Sequence, residues 1–110
     1  MKANELRIGN WVFDLEEKEN TEVIQWTFES DYFTSLEPIP LTEEWLIKFG
    51  FTVLYGEGIA KGWLHKGLIQ YCLTGGSVCY NYNNLTRVES VHQLQNIYFA
   101  LTNEELTIKL

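Results

Sequence analysis

Apolar and polar positions alternate along this chain in two rhythms, and each change of rhythm marks an element. Over residues 68–82 the period is two. With Gly75-Gly76 as a two-residue turn, Leu73 faces Val78, Cys72 faces Cys79, Tyr71 faces Tyr80 and Ile69 faces Tyr82. One side of this hairpin then holds Ile69, Tyr71, Leu73, Val78, Tyr80 and Tyr82. The other holds Gln70, Cys72, Thr74, Ser77, Cys79 and Asn81. A one-residue slip would exchange the two sides, so the pattern specifies the pairing. The apolar side needs a cover, and the next segment supplies it at a period near 3.6. Ser90 and Gln93 fit a capping box, Val91, Leu94, Tyr98 and Leu101 recur at helical spacing, and Asn103 can end the helix. Ile97 widens this stripe to core width, while Gln93 and Asn96 look outward. The C-terminal helix is therefore expected to cover the 68–82 hairpin.

The remaining elements are shorter. Gly9-Asn10 punctuates a turn before a strand ending at Asp14, and residues 15–22 form a polar, acidic loop. Residues 23–28 alternate as a strand, with 31–36 as its antiparallel neighbour, until Pro38 and Pro40 stop the sheet. A first helix spans 43–49, with Thr42 as N-cap, Glu43 and Glu44 in its first turn and Gly50 as its left-handed exit. Strands are expected at 51–55, from Trp63 to His65, and at 106–110. The sum is a single α+β domain over 1–110, with two helices and six to seven antiparallel strands. The N-terminal strands form a small meander.

Composition narrows the class. The chain has 110 residues, 45% hydrophobic and 15% aromatic, enough for one packed core and too apolar for a disordered segment. No apolar run approaches the roughly 20 residues that span a bilayer, so no membrane association is expected. Lys2, Glu5 and Arg7 stand where a signal peptide carries its apolar stretch, which points to the cytoplasm. The formal charge is −7 and lies mostly in the first half, where residues 1–57 carry 12 acidic and 4 basic side chains. Such a surface disfavours direct nucleic-acid binding, because Lys and Arg supply most of that affinity. It suits either a solvating face or an acidic surface that docks on a basic partner.

The residues offer little reactive chemistry. Cys72 and Cys79 face each other in the two-residue hairpin at a hydrogen-bonded position with Cα atoms about 5.5 Å apart, within disulfide range. Two cysteines are too few for a secreted disulfide framework, so free thiols are expected in a reducing compartment. His65 and His92 do not complete a zinc site with them, since positions 65, 72, 79 and 92 contain no close ligand pair. No metal and no cofactor are expected. His92 reads as a surface or capping-region residue. A Cys72–His92 or Cys79–His65 dyad is open, but no spacing selects it. Glycines 56, 58 and 62 lack the Gly-Lys-Ser/Thr ending of a phosphate loop. The sixteen aromatics remain. Most belong in the core, and the candidates for an exposed partner surface are Tyr32, Phe33, Tyr55, Trp63 and Tyr82.

Three stretches carry a resemblance: residues 1–12 (Met1 to Val12), residues 39–51 around Leu41-Thr42-Glu43-Glu44-Trp45-Leu46, and residues 91–106 from Val91 to Leu106. Together they resemble a family of small uncharacterised proteins from Bacteroidetes genomes, prophages and mobile elements. The resemblance covers both ends and the middle, whereas 15–35 and 55–88 are individual. It implies a bacterial cytoplasm and a phage-linked context, and it brings no activity, ligand or catalytic residue with it. Three functional readings follow. The first is a non-catalytic module that binds a protein partner. The second is an acidic mimic of nucleic acid that occupies a basic groove, which requires carboxylates clustered on one face. The third is a small Cys/His enzyme, which requires a thiol within hydrogen-bond reach of an imidazole.

Overall fold

The computed structural model describes residues 5–24, 35–53 and 62–108. Among these, the strands are β1 (Trp11–Asp14), β2 (Glu19–Glu22), β3 (Leu36–Glu37), β4 (Thr52–Val53), β5 (Trp63–Lys66), β6 (Ile69–Cys72), β7 (Ser77–Tyr80) and β8 (Asn83–Arg87), and the helices are α1 (Glu43–Lys48) and α2 (Val91–Thr102). The fold is α+β, with two antiparallel sheets ordered β2-β1-β3 and β4-β5-β6-β7-β8. The described residues hold eight strands where about six or seven were expected, because two polar segments pair. The chain divides into two compact units. One comprises the residues up to Pro40 with Ser90–Glu104, the other Leu41–Glu89 with the residues from Glu105 on.

In the first unit, β1 and β2 form a hairpin in register Trp11↔Glu22 to Asp14↔Glu19. The segment expected to be a loop pairs because Asp14, itself buried, caps the turn. Its Oδ1 accepts the backbone N–H groups of Glu16 and Glu17 at 2.9 and 3.2 Å, and Lys18 closes the turn at φ 56°. The strand expected over 23–28 is absent at its described end. Val23 instead prolongs the hairpin through bonds to Gly9 and Asn10, and 25–28 and 31–34 lie outside the described residues. β3 pairs with the other edge of β1. Leu6, Val12, Val23 and Leu36 pack together as the buried cluster beneath this sheet.

Helix α2 belongs to this unit. The Ser90 N–H donates to Gln93 Oε1 at 3.3 Å, one half of the expected capping box. Asn103 ends the helix at φ 60°, its N–H on Phe99 O. The buried stripe is Val91, Leu94, Gln95 and Tyr98, with His92 beside it. The helix is thus turned toward Gln95, and Ile97 is only half-buried. The reason is a polar clasp with the N-terminal turn. Gln95 Oε1 accepts from Trp11 N–H at 2.8 Å and its Nε2 donates to Gly9 O at 3.0 Å. Asn96, expected to face outward, receives Arg7 Nη1 at 2.8 Å and Asn10 Nδ2 at 2.9 Å and donates to Glu5 O. The Arg7 guanidinium also lies over the Phe99 ring, 4.3 Å from its centroid. The expected C-terminal helix is therefore present, and these bonds tie it to residues 5–11.

In the second unit, Thr42 Oγ1 accepts from Trp45 N–H at 3.4 Å to start α1. Its end is a Schellman motif: Gly50 N–H bonds to Ile47 O and Phe51 N–H to Leu46 O, with Gly50 at φ 92°. Leu46, Phe49 and Phe51 are buried. The sheet is a meander of successive hairpins. Between β6 and β7 the connection is the four-residue turn 73–76, not the two-residue Gly75-Gly76 turn, and Gly76 N–H closes it on Cys72 O at 2.8 Å. The register is Ile69↔Tyr80, Gln70↔Cys79, Tyr71↔Val78 and Cys72↔Ser77. Cys72 and Cys79 consequently do not face each other. The displacement is two residues, an even number, so the sides of the pleat survive. Ile69, Tyr71 and Val78 share the buried side with Leu64. Gly76, at φ 72°, lets the turn approach residue 88: a Cβ there would lie 3.0 Å from Val88 O, the oxygen that also accepts from Tyr71 Oη at 2.9 Å.

Residues 104–108 contain no strand, although Leu106 is buried, and 109–110 lie outside the described residues. The strand expected over 106–110 is thus corrected over its described part. β8, with every residue exposed, is the second strand that the hydrophobic pattern could not announce.

Candidate functional site

Two hairpin turns meet at one end of the five-stranded sheet. The β5–β6 turn is Gly67-Leu68, with Gly67 at φ 59°, and the β7–β8 turn is Asn81-Tyr82, with φ of 48° and 68°. Positive φ at both central residues is the pattern of a type I′ turn, which glycine ordinarily fills at its second position. Here a tyrosine stands in that position. Tyr82 is 75% exposed and Leu68 52%.

What holds this end together is Gln70, whose residue is only 2% exposed. Its Nε2 donates to Leu68 O at 2.9 Å and its Oε1 accepts Tyr82 N–H at 2.8 Å. Asn81 N–H adds a bond to Leu68 O at 2.8 Å. One buried amide therefore spends both ends on fixing two turns whose side chains face water. Leu85, 47% exposed, lies on β8, which carries a bulge opposite Val78 and Cys79. That irregularity keeps the outer edge from offering a flat ladder to another strand.

Of the partner-surface candidates, Tyr82 lies at this end of the sheet. Trp63 is half-buried in β5, opposite Cys72, and Tyr32, Phe33 and Tyr55 lie outside the described residues. Gln70 and Leu68 were missed. Gln70 looked like one more polar position in an alternating strand, and Leu68 like the start of that strand. The available signal was Gly67 and Asn81, each a turn-former two residues from its strand partner.

The other side of the sheet carries the thiols. Its rows run Trp63, Cys72, Ser77, Arg87 and Thr52, His65, Gln70, Cys79, Asn84. Both cysteines are free, Cys72 half-buried and Cys79 buried. Burial pushes the Cys72 thiol up, but donation from the Thr74 hydroxyl and from the backbone N–H groups of Gly75 and Thr74 outweighs it, and the net shift is downward. The Cys72 Sγ to Thr74 Oγ1 distance is 3.5 Å. Cys79 is raised, first by burial and then by the charge of Cys72. His65 shares the row of Cys79 with Gln70 between them, two strand spacings or about 10 Å away.

His92 is not at the surface. It is 2% exposed, and its Nδ1 lies 3.2 Å from Ser90 Oγ. Burial lowers its pKa, with Glu5 opposing. Among the described residues, no group of three or more His, Cys, Asp and Glu side chains could hold a metal ion. No described helix is long and apolar enough to cross a membrane. Compared with known proteins, the chain matches no family model, no curated protein and no solved structure.

Proposed function

We propose that this chain is a non-catalytic protein-binding module whose anchor is the sheet end carrying Leu68 and Tyr82. The carrying observation is Gln70: a buried side chain holds two exposed apolar residues in fixed positions, one of them in a conformation that side chains rarely adopt. Strain maintained at an exposed aromatic residue points to use. A pre-ordered tyrosine also loses little entropy on binding, which is why aromatic anchors dominate interfaces. The resemblance to proteins of Bacteroidetes prophages and mobile elements supports a bacterial cytoplasmic partner.

The test compares capture of partners from such a cell by the wild-type chain and by Tyr82→Ser/Leu68→Ser, each at low and high salt. Salt-resistant recovery that disappears with the double variant supports the reading, and undiminished recovery by the variant refutes it. A second reading has its own observation: Glu16, Glu17, Glu19 and Glu22 are all exposed on the β1–β2 hairpin. These carboxylates suit an acidic decoy for a basic groove, and its capture would fall steeply with salt while surviving the tip substitutions.

A further inference from the structure

We propose that Cys72 and Cys79 join in a reversible disulfide when the protein meets a hydroperoxide, with Cys72 the thiol oxidised first. This is independent of partner binding at Tyr82. The two residues project on the same side of adjacent strands, Cys72 opposite Ser77 and Cys79 opposite Gln70. They are therefore diagonal neighbours, with Cα atoms about 7–8 Å apart. A disulfide needs roughly 7 Å or less, so closure requires a displacement of about 1 Å. The displacement falls at the end of a strand. Cys72 is the last residue of β6, and the turn that follows contains Gly75 and Gly76. Ser77 is small, and the Gln70 amide is drawn away to Leu68 and Tyr82.

The two sulfurs also divide the chemistry. Cys72 is the more accessible, and its Sγ lies 3.5 Å from the Thr74 hydroxyl. That is the environment of a reactive thiol. Its thiolate attacks the peroxide. An S–O bond forms, the O–O bond breaks, and the released hydroxide takes a proton to become water. Cys79, buried and raised, suits the second step. It gives up its proton and attacks the sulfenic sulfur of Cys72, forming S–S as the hydroxyl leaves with that proton as water. Two thiols and one hydrogen peroxide thus give one disulfide and two waters. A dithiol reductant reverses the bond by exchange.

The experiment titrates the full chain with hydrogen peroxide and maps peptides by mass spectrometry without reduction. The expected product is a monomer lighter by two hydrogens, with Cys72 linked to Cys79 and the bond lost on adding dithiothreitol. In Cys79→Ser, dimedone is expected to trap a sulfenic acid at Cys72, whereas Cys72→Ser leaves Cys79 unmodified at the same dose. Should a serine variant fail to fold, the wild-type map decides alone. Dimedone labelling of Cys79 ahead of Cys72, over-oxidation of Cys72 without an internal link, or covalent dimers as the sole disulfide product would each overturn the proposal.

Discussion

Substituting Tyr82 separately by glycine and by alanine isolates the cost of the backbone that carries this side chain. Both variants lose the same mostly exposed ring, so its residual burial cancels between them. They differ in the Cβ, which at φ 68° meets the steric penalty of the left-handed region, about 1–2 kcal/mol for an L-residue. Glycine escapes that penalty but gives back about 0.5–1 kcal/mol through the greater freedom of its unfolded chain. The difference leaves Tyr82→Gly more stable than Tyr82→Ala by about 0.5–1 kcal/mol, or about 3 °C in Tm for a chain of this length. In an ordinary strand or helix the order is the reverse, so the sign is diagnostic. Urea unfolding followed by tryptophan fluorescence measures it, provided the two variants share one m-value. An alanine variant as stable as the glycine one, or more so, would refute the view that Tyr82 is held against its backbone preference. It would also remove the main support for the sheet end as a binding anchor.

Other outcomes are expected on the same footing. Gly76→Ala places a Cβ 3.0 Å from Val88 O at a φ of 72°, and thermal unfolding should show a loss of about 2 kcal/mol. Gln95→Ala leaves the Trp11 N–H and Gly9 O without their partner, and should cost about 3 kcal/mol in denaturant unfolding, with faster hydrogen exchange at the Trp11 amide. Because burial holds His92 below its ordinary value, the unfolded chain takes up its proton first as the pH drops. The contribution of His92 is therefore complete above about pH 6.5 and is lost as the pH falls from there through the folded value. The urea midpoint should fall more between pH 7.5 and 5.5 in the wild type than in His92→Gln, and equal falls would sink the assignment.

Local signals in the sequence carried the helices well. Thr42, Gly50, Ser90, Gln93 and Asn103 each act over three or four residues, and each sits where its capping chemistry requires. The sides of the 68–82 hairpin were legible for a similar reason: side-chain parity survives any even shift, so Ile69, Tyr71 and Val78 are buried together as expected although the turn was two residues too short. Tyr82, expected on the same side, is exposed. The register was not legible, because it is set by long-range ties. Val88 N–H on Gly76 O, Tyr71 Oη on Val88 O and Arg87 Nε on Gly75 O all favour the wider turn over an isolated Gly-Gly one. β2 and β8 lacked any apolar rhythm, since Glu19–Glu22 and Asn83–Arg87 are edge strands whose side chains stay largely in water. Gln95 and Asn96 looked like ordinary polar helix positions because their partners lie more than 80 residues earlier. Gln70 hid in the same way, its partners being turn backbone and not other side chains.

The clasp between residues 5–11 and helix α2 has a consequence for the order in which the chain folds. The segment from Leu41 to Glu89 already contains α1 and all five strands of its sheet, so it can consolidate on largely local contacts. The β1–β2 hairpin is just as local, yet the part-buried Trp11 N–H and Gly9 O must wait for Gln95 before they gain these bonds. Closing a flexible loop of that length costs about 4 kcal/mol in chain entropy, and prior folding of the intervening segment removes most of it. Residues 5–11 are thus among the last to settle, and their assembly depends on the middle of the protein having folded ahead of them.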